Sequence, residues 1–253
     1  MEHFYFVADW GAKHYLTVPN VMISAGSTWH PKSNKFNLSR TNLPPDTTKR
    51  VFLDSGGFSL MSRYPDYPFS LEEYIDLAYH IKKKYPLTEI ATLDYPCEAE
   101  IDRTQLHTNQ ERMEKTVERA VECIDYDGSL PWVPVIQGYT LGEYYECIDM
   151  FDAAGIDEDY YAIGSVCSRK GHPLKIRRLI TKVKKRMGDD RLHAFGLSLI
   201  YLKDSQIFHA IHSSDSAAWN YRAVTMKQKP KMITDYLKKI NNIQSAYEGQ
   251  TTL

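Results

Sequence analysis

Six short segments of this 253-residue chain each close an apolar run with residues able to do chemistry. They are Asp54-Ser55-Gly56-Gly57-Phe58, Asp94-Tyr95, Gln137-Gly138, Gly164-Ser165, Phe195-Gly196 and Asp215. Together they hold three carboxylates, one amide, two serine hydroxyls, a tyrosine, several glycine backbones and two phenyl rings. A planar ligand fits between Phe58 and Phe195. An ionised carboxylate accepts two parallel N–H groups, the pair that guanine offers at N1 and N2, while an amide N–H2 and a glycine N–H can donate to its O6. Two further carboxylates suit glycosidic chemistry, one as nucleophile at the anomeric carbon and one as acid and base at the leaving group.

These residues can act together only if the chain brings the segments to one place. Apolar runs at 4–7, 21–23, 51–54, 90–93, 133–136, 160–163 and 193–196 read as short buried strands, and 207–211 leads into Ser213-Ser214-Asp215-Ser216. Between them lie three capping boxes, Ser70 with Glu73, Thr108 with Glu111 and Thr140 with Glu143, each opening a helix. Residues 173–187 read as a helix with Leu174, Leu179, Ile180, Val183 and Met187 inward, and 230–247 as a closing helix. Residues 25–50, punctuated by Gly26, Pro31, Pro44 and Pro45, read as loop. Alternation of strand and helix predicts an α/β fold of parallel βα units. No Gly-x-Gly-x-x-Gly follows the first strand, so a (β/α)8 TIM-type barrel is preferred to an open doubly wound sheet. One domain over 1–253 is expected, with the active site at the strands' C-terminal ends.

A formal charge of −1 removes any global attraction to a polyanion, so nucleic-acid binding needs a local patch. Arg169, Lys170, Lys175, Arg177, Arg178, Lys182, Lys184, Lys185 and Arg186 crowd one loop and helix and offer such a patch. No apolar run approaches membrane-spanning length, and the N-terminus lacks the basic region and apolar core of a signal peptide, so a cytoplasmic protein without a membrane partner is expected. Cys97, Cys123, Cys147 and Cys167 form no C-x-x-C or C-x-C pair, which argues against a zinc knuckle or a disulfide framework.

The ordered matches Leu53-Asp54-Ser55-Gly56-Gly57-Phe58, Leu93-Asp94, Val135-Ile136-Gln137-Gly138, Ala162-Ile163-Gly164, Phe195-Gly196 and Ser214-Asp215-Ser216 resemble the tRNA-guanine transglycosylase superfamily over residues 50–222. That resemblance implies a barrel that exchanges guanine for a 7-deazaguanine. By it, Asp215 is the nucleophile and Asp54 the general acid and base. Asp94, Gln137 and Gly164, with Ser55, Gly138 and Ser165 beside them, grip the base, and Phe58 and Phe195 sandwich it. The tRNA enzymes carry a C-x-C-x-x-C…His zinc site after the nucleophile. No cysteine follows Cys167 here, so that subdomain is missing. Ser213–Trp219 and the short C-terminus look more like the phage and bacterial DNA-modifying, DpdA-like branch.

The expected partners are therefore DNA and a 7-deazaguanine such as preQ0, in a bacterial cell or phage-infected host. Arg222, Arg169 and Lys170 are the phosphate contacts expected, and no metal or redox cofactor is required. A zinc-less tRNA enzyme, a hydrolase handing the sugar to water and a non-catalytic nucleic-acid-binding subunit are the alternatives. Self-association is left open.

Overall fold

Local signals place the helices. The Ser70, Thr108 and Thr140 hydroxyls accept the N–H of Glu73, Glu111 and Glu143 at 3.2, 3.2 and 3.3 Å, and each glutamate accepts the cap residue's own N–H in return. Two orphan donors are thus satisfied at each helix start.

The computed structural model describes residues 1–98, 107–167, 169, 171–220 and 225–247. Its barrel strands are β1 (His3–Val7), β2 (Asn20–Ser24), β3 (Arg50–Asp54), β4 (Leu87–Ala91), β5 (Trp132–Val133 and Val135–Ile136), β6 (Tyr160–Ile163), β7 (Arg191–Ala194) and β8 (Ser213–Ser216). The helices are α1 (Ala25–Thr28), α2 (Gly57–Met61), α3 (Leu71–Lys82), α4 (Asn109–Tyr126), α5 (Leu141–Ala153), α6 (Pro173–Met187), α7 (Leu199–Leu202), α8 (Ser205–Ala210) and α9 (Lys229–Tyr247).

Every pairing in this sheet is parallel, strand to neighbouring strand, and β8 returns to β1 with Tyr5 opposite Asp215. Pro134 splits β5, because proline has no N–H to give the ladder. The half before it pairs with β4 and the half after it with β6, so β5 closes the ring as its eighth strand. The fold is the TIM-type α/β barrel.

Tyr5, Met22, Phe52, Ala91, Val133, Val135, Tyr160 and Ala162 fill the barrel, and a larger apolar layer lies between barrel and helices. At its N-terminal end the Arg50 guanidinium pairs with the buried Glu89 and donates to Tyr5 Oη at 3.1 Å. The open end for ligands is therefore the C-terminal rim.

Three readings of the sequence change. Ile207–Phe208, read as part of a run into the last strand, lies inside α8; the strand itself is the all-polar Ser213–Ser216. Residues 25–50 are not all loop, holding α1, a hairpin of Trp29–His30 with Lys35–Phe36, and a 3-10 turn at Leu38–Thr41. Leu174, expected inward, is exposed, because Pro173 starts α6 at the rim before its apolar face reaches the barrel. No described helix is long and apolar enough to cross a membrane.

Candidate active site

The Asp54 side chain stands where β3 ends, opposite Ser24 at the end of β2. The Ser24 hydroxyl and the Gly56 N–H both bond it. Gly56 takes φ +78°, and a Cβ there would lie 2.2 Å from the Gly26 nitrogen. Only glycine permits both the turn and that approach. Burial, with the Asp215 charge adding to it, pushes the Asp54 pKa up to about 6.

Asp94, three residues past the end of β4, is held on both oxygens. Ser55 Oγ donates to Oδ1 and Gln137 Nε2 donates to Oδ2, each at 2.5 Å. Gln137 Oε1 accepts from Ser165 Oγ at 2.6 Å, and Ser165 Oγ accepts from the Cys97 N–H at 2.9 Å. Tyr67 Oη donates to the Asp94 carbonyl at 2.7 Å. Burial raises the Asp94 pKa to about 7, against the pull of the Ser55 hydrogen bond. Gly164 lies flat beneath this network: a Cβ there would sit 2.2 Å from Gln137 Nε2. Gly138 packs against the start of α5, where a Cβ would sit 2.8 Å from the Tyr144 nitrogen.

Asp215, in β8, is 5% exposed. Its Oδ1 accepts the Gly196 N–H at 2.8 Å and faces His193 Nε2 at 3.2 Å. Behind it, His193 Nδ1 meets Ser213 Oγ at 2.5 Å, and Ser213 Oγ meets Tyr160 Oη at 2.6 Å. A carboxylate oxygen accepts, so Nε2 is the donor toward Asp215, and the Ser213 and Tyr160 hydroxyls continue the chain behind Nδ1. Among the described residues both hydrogen-bond contacts to Asp215 fall on Oδ1.

Four of the strand-end segments thus join in one connected network, Ser55–Asp94–Gln137–Ser165, and Asp54 and Asp215 are close enough to feel one another's charge. Phe195 contacts Phe52 and His193 with ring centroids 5.8 and 4.6 Å apart. Phe58 is exposed on the first turn of α2.

Arg169, expected on phosphate, is instead a clasp. Its guanidinium donates to the carbonyls of Ser165 and Tyr139 at 2.9 and 2.6 Å and stacks 4.9 Å from the Tyr139 ring centre. It fastens the loop after β6 to the loop after β5. Lys170 and Arg222 lie outside the described residues.

Residues 10–243 match the DpdA family, described as DeoxyPurine in DNA protein A. The chain belongs to the DpdA family. Among curated proteins none matches it. Membership makes DNA the polymer and a deoxypurine the group modified, in an enzyme of the transglycosylase type.

The sequence reading missed His193, Ser24 and Tyr67. His193 had one signal, a histidine two residues before Phe195 in an otherwise apolar strand; Tyr67, in a loop, had none. Among the described residues one group could hold a metal ion, Glu2, His3 and His212, at the barrel end opposite the DpdA site. The four thiols are free, and burial raises those of Cys123 and Cys147 to about 12, so they stay protonated at neutral pH.

Proposed function

We propose that this DpdA-family chain exchanges guanine in DNA for a 7-deazaguanine by double displacement. One contrast supports this most. Among the described residues Asp215 is held through Oδ1, while burial pushes the neighbouring Asp54 up to a pKa of about 6. Two carboxylates so close, in unlike surroundings, divide into nucleophile and proton carrier.

In the first step Asp215 Oδ2 attacks C1′ of a deoxyguanosine turned out of its strand. The C1′–N9 bond breaks, its electrons pass to guanine, and Asp54 gives guanine a proton. The result is a deoxyribosyl ester of Asp215. A 7-deazaguanine then enters, Asp54 takes its N9 proton, N9 bonds to C1′ and Asp215 leaves. Two inversions retain the sugar's configuration.

Asp94 is the base reader. Each oxygen keeps a lone pair after accepting from Ser55 and Gln137, and the two face parallel donors such as guanine N1–H and N2–H2. Gln137 has one Nε2 hydrogen committed to Asp94 and a second for O6. Phe195 and Phe58 are assigned to the two faces of the base.

The test is displacement of labelled guanine from duplex DNA, single-stranded DNA and tRNA at equal guanine content. Release from DNA that depends on an added 7-deazaguanine supports the proposal. Release into water without an incoming base would make the protein a hydrolase, and exchange confined to tRNA would move it to the other branch.

A further inference from the structure

The loop after β1 carries Trp10, 70% exposed, while Trp29, Trp132 and Trp219 are all buried. An indole left this open costs hydration free energy and has no packing role to explain it.

Its setting is built rather than loose. Asp9, beside it, accepts from Asn220 Nδ2 at 2.6 Å and pairs with Lys229. Lys229 also lies over the Tyr15 ring, 4.8 Å from its centre, and Tyr15 contacts Trp219. These contacts tie the loop after β1 to the segment after β8. Gly11 leaves no room between them: a Cβ there would lie 3.0 Å from Met226 Cε, so Met226, itself 41% exposed, supports the same patch. Lys13 and Lys227 flank it, both exposed. Residues 10–17 and 225–234 contain no Asp or Glu.

β1 is hydrogen-bonded to β8, the strand of Asp215. A strand whose C1′ reaches Asp215 must therefore carry its adjoining nucleotides over the ends of β1 and β8. There it meets an open indole on a segment that also exposes Lys13, joined to one that exposes Lys227. A protein partner fits poorly, because two apolar side chains fall far short of the roughly 800 Å² per partner of a stable interface. A nucleobase fits: every base has a face to stack on a ring, and the phosphates on either side match the lysines.

We infer that Trp10, backed by Met226, is a stacking platform for the base next to the extruded guanine, so that this enzyme grips its DNA as a locally unstacked strand. The inference rests on the transglycosylase reading of the site and adds how the polymer is held.

Trp10 is the exposed tryptophan, so intrinsic fluorescence reports on it. Wild type, Trp10→Phe and Trp10→Ala are titrated with a short single-stranded oligodeoxynucleotide bearing one guanine, and with its duplex. Quenching in wild type should vanish in Trp10→Phe, which still binds. Trp10→Ala should lose about 5- to 100-fold in affinity, the cost of one stacked base. Equal affinity of Trp10→Ala and wild type overturns the platform and leaves the reading of the site intact if guanine exchange persists. Sedimentation showing a dimer that Trp10→Ala dissociates, with DNA affinity unchanged, overturns it in favour of a protein interface. Wild type that binds neither form of DNA overturns both.

Discussion

At the residue scale the site depends on charges kept in poor solvent. Asp94 has a pKa of about 7 in the fold and an ordinary carboxyl value near 3.8 outside it. Between those values the folded protein holds the proton that the unfolded chain releases, so stability falls as pH rises through the window. Above pH 7 the buried charge is carried in full. Asp94→Asn should therefore melt higher than wild type at pH 8, with the gain shrinking toward pH 5; differential scanning calorimetry at both pH values checks this, and an equal difference at both contradicts it. The same variant places a donor against guanine's donors, and exchange should fall by about 10- to 100-fold. His193 acts one atom further back, aiming Asp215. His193→Phe keeps the ring volume but removes the N–H, so kcat should fall by about 10- to 100-fold with little change in KM. His193→Gln returns an N–H donor and should recover part of kcat; if Gln and Phe are alike, the histidine only fills space.

At the element scale, the βα loops hold the reacting groups through glycines that admit no side chain. Gly164→Ala places a methyl within the Gln137 amide, so Gln137 must leave Asp94. Base affinity should drop by about 10-fold or more, through a lost buried hydrogen bond of ~1–3 kcal/mol, and guanine inhibition constants measure it. The elements were legible where their causes are local. The capping boxes at Ser70, Thr108 and Thr140 lie within four residues of what they cap, and three helices begin where the sequence says. The strand ends of Asp54, Asp94, Gln137 and Asp215 were legible because apolar runs stop there. His193 was not, because its partner Ser213 comes from the neighbouring strand's register. The largely apolar 207–211 run misled because a short helix packed on the barrel shows much the same hydrophobicity as a buried strand, and only His209 breaks it.

At the scale of the whole molecule, closing the ring joins what the chain keeps apart. Asp54 and Asp215 belong to opposite ends of the sequence, yet β1 and β2 alone separate their strands in the barrel. The charge is arranged at the same scale. Three basic side chains of α6 are engaged at the surface: Arg186 pairs with Asp149, Arg177 with Asp204, and Lys184 donates to the Gly188 and Asp190 carbonyls. Those contacts reduce the free charge that the outer wall offers a phosphate backbone. Double displacement requires that Asp215 bond to the sugar during exchange. Enzyme incubated with guanine-containing DNA is denatured under mild acid, digested, and the peptides weighed. The account predicts a deoxyribosyl adduct on the peptide bearing Asp215, absent from Asp215→Ala, which should also lose exchange. Exchange by Asp215→Ala at the wild-type rate, or an adduct mapped to Asp54 instead, would contradict it.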